Sequence, residues 1–157
     1  MKYFAYGSNM CSGRLRARVT CSFITTAKLV GYQLRFHKVS RDGSSKCDAF
    51  RTDHQNDEIW GAVFDIPDVE KEALDRHEGR GNGYDDIMIM VEAKDGGRME
   101  VITYIAATDA IREGLAPYTW YKAFVEAGAR EHGLPQDYVA KAIMHVVPVQ
   151  DSDQGRH

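Results

Sequence analysis

Strand-forming segments dominate this 157-residue chain, and helical segments interrupt them at irregular intervals. That order departs from the strand–helix alternation of a parallel α/β sheet. It indicates an α+β fold with a mixed or largely antiparallel sheet that can curl into a barrel. The clearest strand covers 58–66, where Ile59, Gly61, Val63 and Asp65 alternate with Trp60, Ala62, Phe64 and Ile66. Pro67 then suits the first turn of a helix, with Asp68 and Glu70 at its positive end. Val69, Ala73, Leu74 and His77 predict its buried face, and Gly79 its end.

The remaining elements follow from the same rules. Strands are expected over 2–6, 23–29, 32–37, 49–52 and 145–149, and a polar loop over 40–46. A hairpin joins 87–93 to 99–106 around Asp95-Gly96-Gly97. Helices are expected from Met10 to about Ala17 with Asn9 as N-cap, over 117–132 with Gly133-Leu134-Pro135 as the stop, and over 136–143. Residues 1–149 form one domain in this reading, with 150–157 a flexible tail.

A formal charge of −3 and the lack of a basic block argue against nucleic acid as a partner; the arginines of 14–18 read as a solvated helix face. No apolar run reaches the length of a membrane span. The cysteines Cys11, Cys21 and Cys47 are odd in number and lack CxxC spacing, which fits a reducing, cytoplasmic setting and a packing role.

Two stretches carry chemical promise. In the first, Tyr3-Phe4-Ala5-Tyr6 runs straight into Gly7-Ser8-Asn9-Met10. A strand that breaks at glycine can present backbone N–H groups, a hydroxyl and an amide to a small anion or carboxylate. An ordinary turn is the plainer reading of the same residues. In the second, Glu78 sits at the expected C-terminus of a helix. A carboxylate there meets the negative end of the macrodipole, at a cost of about 0.3–1 kcal/mol. A glutamate kept in that position suits proton transfer; a solvated Glu78 paired with Arg76 or Arg80 is the alternative. The loop Gly79-Arg80-Gly81-Asn82-Gly83 admits close approach of a ligand, and Tyr84 follows it. Tyr118 and Tyr121 lie on neighbouring faces of a helix, where core packing is the simpler role.

Other chemistries lack their signatures. The six histidines show no HExxH spacing, and neither a phosphate-binding loop nor a GxSxG elbow is present. Ser8 has no histidine near it in sequence.

Together these features resemble the gamma-glutamylcyclotransferase family, in its AIG2-like group. The resemblance runs from Tyr3 to about Val149. Its motifs are Tyr3-Phe4-Ala5-Tyr6-Gly7-Ser8-Asn9-Met10, then Leu74-Asp75-Arg76-His77-Glu78-Gly79 with Tyr84, then Tyr121 with the stretch from Gly128 to Tyr138. It implies a small mixed, largely antiparallel barrel-like sheet with flanking helices. It also implies that Tyr6, Gly7, Ser8, Asn9 and Met10 hold a gamma-glutamyl group, that Glu78 is the acid/base, and that Tyr84 and Tyr121 line the pocket. No cofactor or metal is implied. The expected activity is conversion of a small gamma-glutamyl amide to 5-oxoproline and a free amine.

The segment Cys47-Asp48-Ala49-Phe50-Arg51 and the strand at Met88-Ile89-Met90 depart from the family pattern. Gamma-glutamyl amino acids, glutathione and gamma-glutamylamines all stay open as substrates. The expected partner is that small substrate, on a monomer or homodimer, without nucleic acid or membrane. Competing readings are a non-catalytic module that binds the same ligand, an enzyme that removes a gamma-glutamyl cap from a biosynthetic intermediate, and a protein–protein adaptor.

Overall fold

The computed structural model describes residues 1–153. Among these residues seven strands form, at Lys2–Ala5 (β1), Ser22–Val30 (β2), Tyr32–Val39 (β3), Ser45–Arg51 (β4), Glu58–Asp65 (β5), Tyr84–Ala93 (β6) and Arg98–Ala106 (β7). The α-helices are Ser12–Arg16 (α1), Lys71–Glu78 (α2), Thr119–Glu131 (α3) and Gln136–Val139 (α4). Five strands close a barrel in the order β1-β5-β2-β6-β7. The seam between β1 and β7 is parallel, at Tyr3 and Ile102, and every other barrel pairing is antiparallel. The barrel is therefore mixed, as expected, and closure leaves it no free edge.

Burial on both faces of a central strand builds the core. On β5 the residues Ile59, Gly61, Ala62, Val63 and Phe64 are buried, and Phe4 of β1 is fully enclosed beside them. Burying a side chain of that size is worth about 1.5–3 kcal/mol. Gly61 is required by that approach, because a Cβ there would lie 2.3 Å from the Ala5 carbonyl oxygen and 2.9 Å from the Phe4 ring.

Gly31, with φ +89°, turns the chain out of the barrel. The strand after it, β3, pairs with β4 as a separate two-stranded sheet. The second strand of that sheet begins at Ser45, inside the stretch expected to be a loop, because a polar composition does not prevent pairing on an outlying ribbon.

Several local expectations need correction. The first helix starts at Ser12 behind a 3-10 turn, Ser8–Met10, and its N-cap is Cys11. Asn9 spends its side chain elsewhere. Pro67 precedes a 3-10 turn at Asp68–Glu70, and Val69 is 90% exposed there. Of the expected inner face of α2, Leu74 is fully buried while His77 is exposed. The helix is short and lies on a barrel rim, so it buries a narrow stripe. The stretch 145–149 makes a single bridge, Val149 to Tyr118, and no strand. Beyond it, Asp151 is buried and accepts a hydrogen bond from Trp120 Nε1 at 2.9 Å, which ties down part of the expected tail. Residues 154–157 lie outside the described residues.

Candidate active site

The site lies where the end of β1, the C-terminus of α2 and the β3–β4 ribbon meet above the barrel. At α2, Gly79 adopts φ +72°; Arg80 N–H donates to the Asp75 carbonyl at 2.9 Å and Gly79 N–H to Arg76 at 3.2 Å. This double closure is the usual glycine helix stop, and it leaves Glu78 on the last turn. The helix end is clamped to the barrel. Tyr104 OH donates to Asp75 Oδ1 at 2.5 Å, and Lys71 Nζ bridges Asp75 at 2.6 Å and Asp86 at 3.0 Å. Arg80 Nε adds a bond to Asp86 Oδ1 at 2.6 Å, which draws the Asp86 carboxyl down to about 2.

The Glu78 carboxylate meets the first motif. Its Oε1 accepts a hydrogen bond from Asn9 Nδ2 at 2.7 Å and another from the Tyr3 hydroxyl. Asn9 Nδ2 also reaches Tyr3 OH at 3.3 Å, and Arg18 Nη1 lies 3.4 Å from Asn9 Oδ1, which fits that amide orientation. Burial beside Glu78 holds the Tyr3 hydroxyl well above the usual tyrosine range, so it stays a donor.

Gly7 is needed for space. A Cβ there would sit 3.1 Å from Cys47 Cβ and 3.3 Å from Tyr121 OH. In the turn after it, Met10 and Cys11 donate to the Gly7 and Ser8 carbonyls at 3.1 and 3.2 Å. The leading N–H groups of such a turn find no partner inside it.

Cys47 faces this turn, clasped by two hydroxyls. Its N–H donates to Tyr121 OH at 3.0 Å, and its carbonyl accepts from Tyr84 OH at 2.6 Å. Next to it Asp48, buried, bonds Ala106 N–H and His37 Nε2, both at 2.7 Å, so the ribbon is fastened to β7. Burial pushes the Cys47 thiol up to about 12, which suits a packing residue and opposes a thiolate nucleophile.

These groups line a small pocket that is open to solvent. Its wall includes Tyr6, Gly7, Ser8, Asn9, Glu78, Tyr84 and Tyr121, seven of the eight residues expected from sequence. Met10 is the exception. It is fully buried beneath the turn, where Gly128 of α3 packs against it; a Cβ on Gly128 would come within 2.4 Å of Met10 Cβ. His132 Nε2 donates to the Met10 carbonyl at 2.8 Å, and Glu131 accepts from Ser12 N–H at 3.0 Å and from its hydroxyl. The Gly128–His132 stretch thus buttresses the turn from behind. Tyr118 is not in the wall; its hydroxyl donates to the Asp42 carbonyl at 2.8 Å.

Sequence reasoning missed Tyr3, Cys47, Thr103 and Tyr104, which complete the lining. Period-2 alternation cannot separate a tyrosine that faces a core from one that faces a cavity inside it. Among the described residues no group of three or more histidine, cysteine or acidic side chains is placed to hold a metal.

The model of the AIG2-like family matches residues 58–141. Human gamma-glutamylcyclotransferase is 30% identical, with 88% of this chain and 75% of the human protein covered. This chain belongs to the gamma-glutamylcyclotransferase family. The mouse gamma-glutamylcyclotransferase is 32% identical over the same shares of each chain. A solved gamma-glutamyl cyclotransferase structure superposes with a TM-score of 0.87 at 27% identity, covering 98% of this chain and 92% of the other. Both lie in one family, and the mixed barrel with its flanking helices is the architecture they share. Among the described residues, no helix of this family member is long and apolar enough to cross a membrane.

Proposed function

We propose that this chain is a gamma-glutamylcyclotransferase that converts small gamma-glutamyl amides to 5-oxoproline and a free amine, with Glu78 as general acid/base. The observation that carries this reading is the single pocket shared by the Ser8–Asn9 turn and the Glu78 carboxylate. Names borne by the human and mouse relatives support the reaction class.

In the bound substrate the alpha-ammonium lies near Glu78, which takes one of its protons. The freed amine attacks the gamma-carbonyl carbon and closes a five-membered ring. The carbon–nitrogen bond to the leaving group then breaks, and Glu78 returns its proton to that nitrogen. The ring nitrogen sheds the second proton of the former ammonium, and the departing amine takes it up to leave as an ammonium ion; both protons are then accounted for, and the Glu78 carboxylate is regenerated. Because both reacting atoms belong to one molecule, holding the folded conformer supplies much of the acceleration. The N–H groups of the Ser8–Asn9 turn take the alpha-carboxylate, and Tyr84 and Tyr121 shape the wall around the glutamyl chain. The reaction calls for no redox group or covalent nucleophile.

Incubation with a panel of gamma-glutamyl compounds, read by 5-oxoproline release, tests the proposal. Turnover that disappears in Glu78→Gln supports it. A panel without any product, or a Glu78→Gln variant with full activity, overturns it. Ligand-induced thermal stabilisation without product would mark a binding module instead. A cytoplasmic setting agrees with the three free cysteines.

A further inference from the structure

Outside the glutamyl pocket a wider vestibule shares Ser8, Glu78, Tyr84 and Tyr121 with it. Its wall is unlike the rest of the molecule. Six cationic side chains, Arg14, Arg18, Lys38, Arg41, Lys46 and Arg76, stand against the carboxylates of Asp42 and Glu78. The whole chain, by contrast, has a formal charge of −3. Asp42 and Glu78 offset two of the six cations, so the wall keeps an excess of four positive charges.

Lys46 is the most exacting of these. Its Nζ is buried and, among the described residues, has no hydrogen-bond acceptor; its ion pair with Asp42 Oδ2 spans 3.6 Å. The ammonium rests over the rings of Trp120 and Tyr121, at 4.4 and 4.3 Å from their centroids. Arg14 lies beside it, over Phe124 at 4.6 Å, with Nε donating to Ser8 Oγ at 3.2 Å. A buried cation whose one ion pair is this long is incompletely satisfied, and a ligand anion can complete it. Burial pushes Lys46, Lys38 and Arg14 all below their ordinary values, in keeping with that deficit.

We infer that the vestibule is a subsite for an amine leaving group carrying two negative charges, as in a gamma-glutamyl derivative of a dicarboxylic amino acid. This deepens the proposed function and rests on the glutamyl pocket described above. One carboxylate at Lys46 and Arg14 would leave the rim arginines unanswered; a second reaches them. A cationic leaving group such as a diamine meets like charge throughout, which disfavours it.

Three probes with zero, one and two leaving-group carboxylates test the inference: gamma-glutamyl-alaninamide, gamma-glutamyl-alanine and gamma-glutamyl-glutamate. Calorimetric Kd values are measured on Glu78→Gln, which removes turnover from the readout, and kcat/KM on the unaltered chain. Affinity is expected to rise on the order of tenfold with each carboxylate, and the gain to shrink with added salt. Lys46→Met, which keeps the apolar stem, and Arg41→Gln, an exposed change that spares folding, should each cut the glutamate-to-alanine ratio by about fivefold or more. Equal affinity for the alanine and glutamate probes overturns the inference, as does a ratio insensitive to both variants. Graded binding without 5-oxoproline from any probe would sink the proposed reaction and leave the subsite standing. Turnover without graded binding would do the reverse.

Discussion

Asn9 Nδ2 stands 2.7 Å from Glu78 Oε1, across 69 positions of sequence. This contact, with the Tyr3 hydroxyl on the same oxygen, ties the carboxylate of a pocket-lining residue to the β1 end. Loss of the carboxylate should therefore abolish chemistry without unfolding the protein. In Glu78→Gln, kcat is expected to fall about 100- to 10,000-fold, the usual range for a general acid/base. The amide oxygen can still accept from Asn9 and Tyr3, so the melting temperature should stay close to that of the parent. A large drop in melting temperature would show instead that Glu78 is structural.

Tyr3→Phe removes one donor to Glu78 and keeps the ring in its edge-on contact with Tyr104, whose centroid is 6.0 Å away. A hydrogen bond to a charged group contributes about 1.5–3 kcal/mol. If that bond orients Glu78 for proton transfer, kcat should fall by about tenfold or more with KM little changed. A change confined to KM would assign Tyr3 to substrate binding.

Two glycines predict opposite phenotypes. Gly7→Ala places a methyl 3.1 Å from Cys47 Cβ at the pocket wall, and KM should rise severalfold with modest loss of stability. Gly128→Ala drives a methyl into Met10 and the Cys11 backbone, within 2.7 Å of both. Overpacking there should cost about 1–3 kcal/mol in chemical denaturation. Equal denaturation midpoints for the two variants would contradict the assignment.

The Asp86 carboxyl, held at about 2 by Arg80 and then Lys71, makes an acid-sensitive clamp on the end of α2. Its folded value lies below the ordinary 3.8, so the stabilisation is present above that value and is lost as pH falls through about 2. Asp86→Asn should lower stability at neutral pH and flatten the acid limb between about 4 and 2. Urea denaturation as a function of pH checks this; parallel profiles for parent and variant would exclude it.

Cys47, with its thiol pushed up to about 12 and its side chain buried, should resist alkylation at pH near 8 in the folded protein. Cys11 and Cys21 are partly exposed and should label first. Mass spectrometry after brief iodoacetamide treatment reads the order. Early modification of Cys47 would mean that the β3–β4 ribbon opens.

Much of this was legible in the residues. The run Tyr3-Phe4-Ala5-Tyr6 followed by Gly7 marks a strand that stops abruptly, and Gly79 marks a helix that ends on Glu78. Seven of the eight expected site residues line one pocket. Met10 misled because apolar and polar neighbours in a tight turn point to opposite sides, and it is the apolar one that anchors the turn beneath α3. Asn9 misled in a different way. A cap and a ligand to a distant carboxylate draw on the same amide chemistry, and local sequence supplies only the nearer candidate.

The sequence by itself determined which type of element most segments form, and at Gly7 and Gly79 where they stop, since alternation and glycine stops act within a few residues. It also determined that a turn and a helix-terminal carboxylate were available. Only the tertiary structure decided that the two meet. Barrel closure sets β1 beside β7, the Tyr104–Asp75 bond fixes α2 on the rim, and Gly128 presses α3 against the Met10 turn. Those contacts join positions far apart in the chain, and they arise from shared burial, which local spacing does not encode.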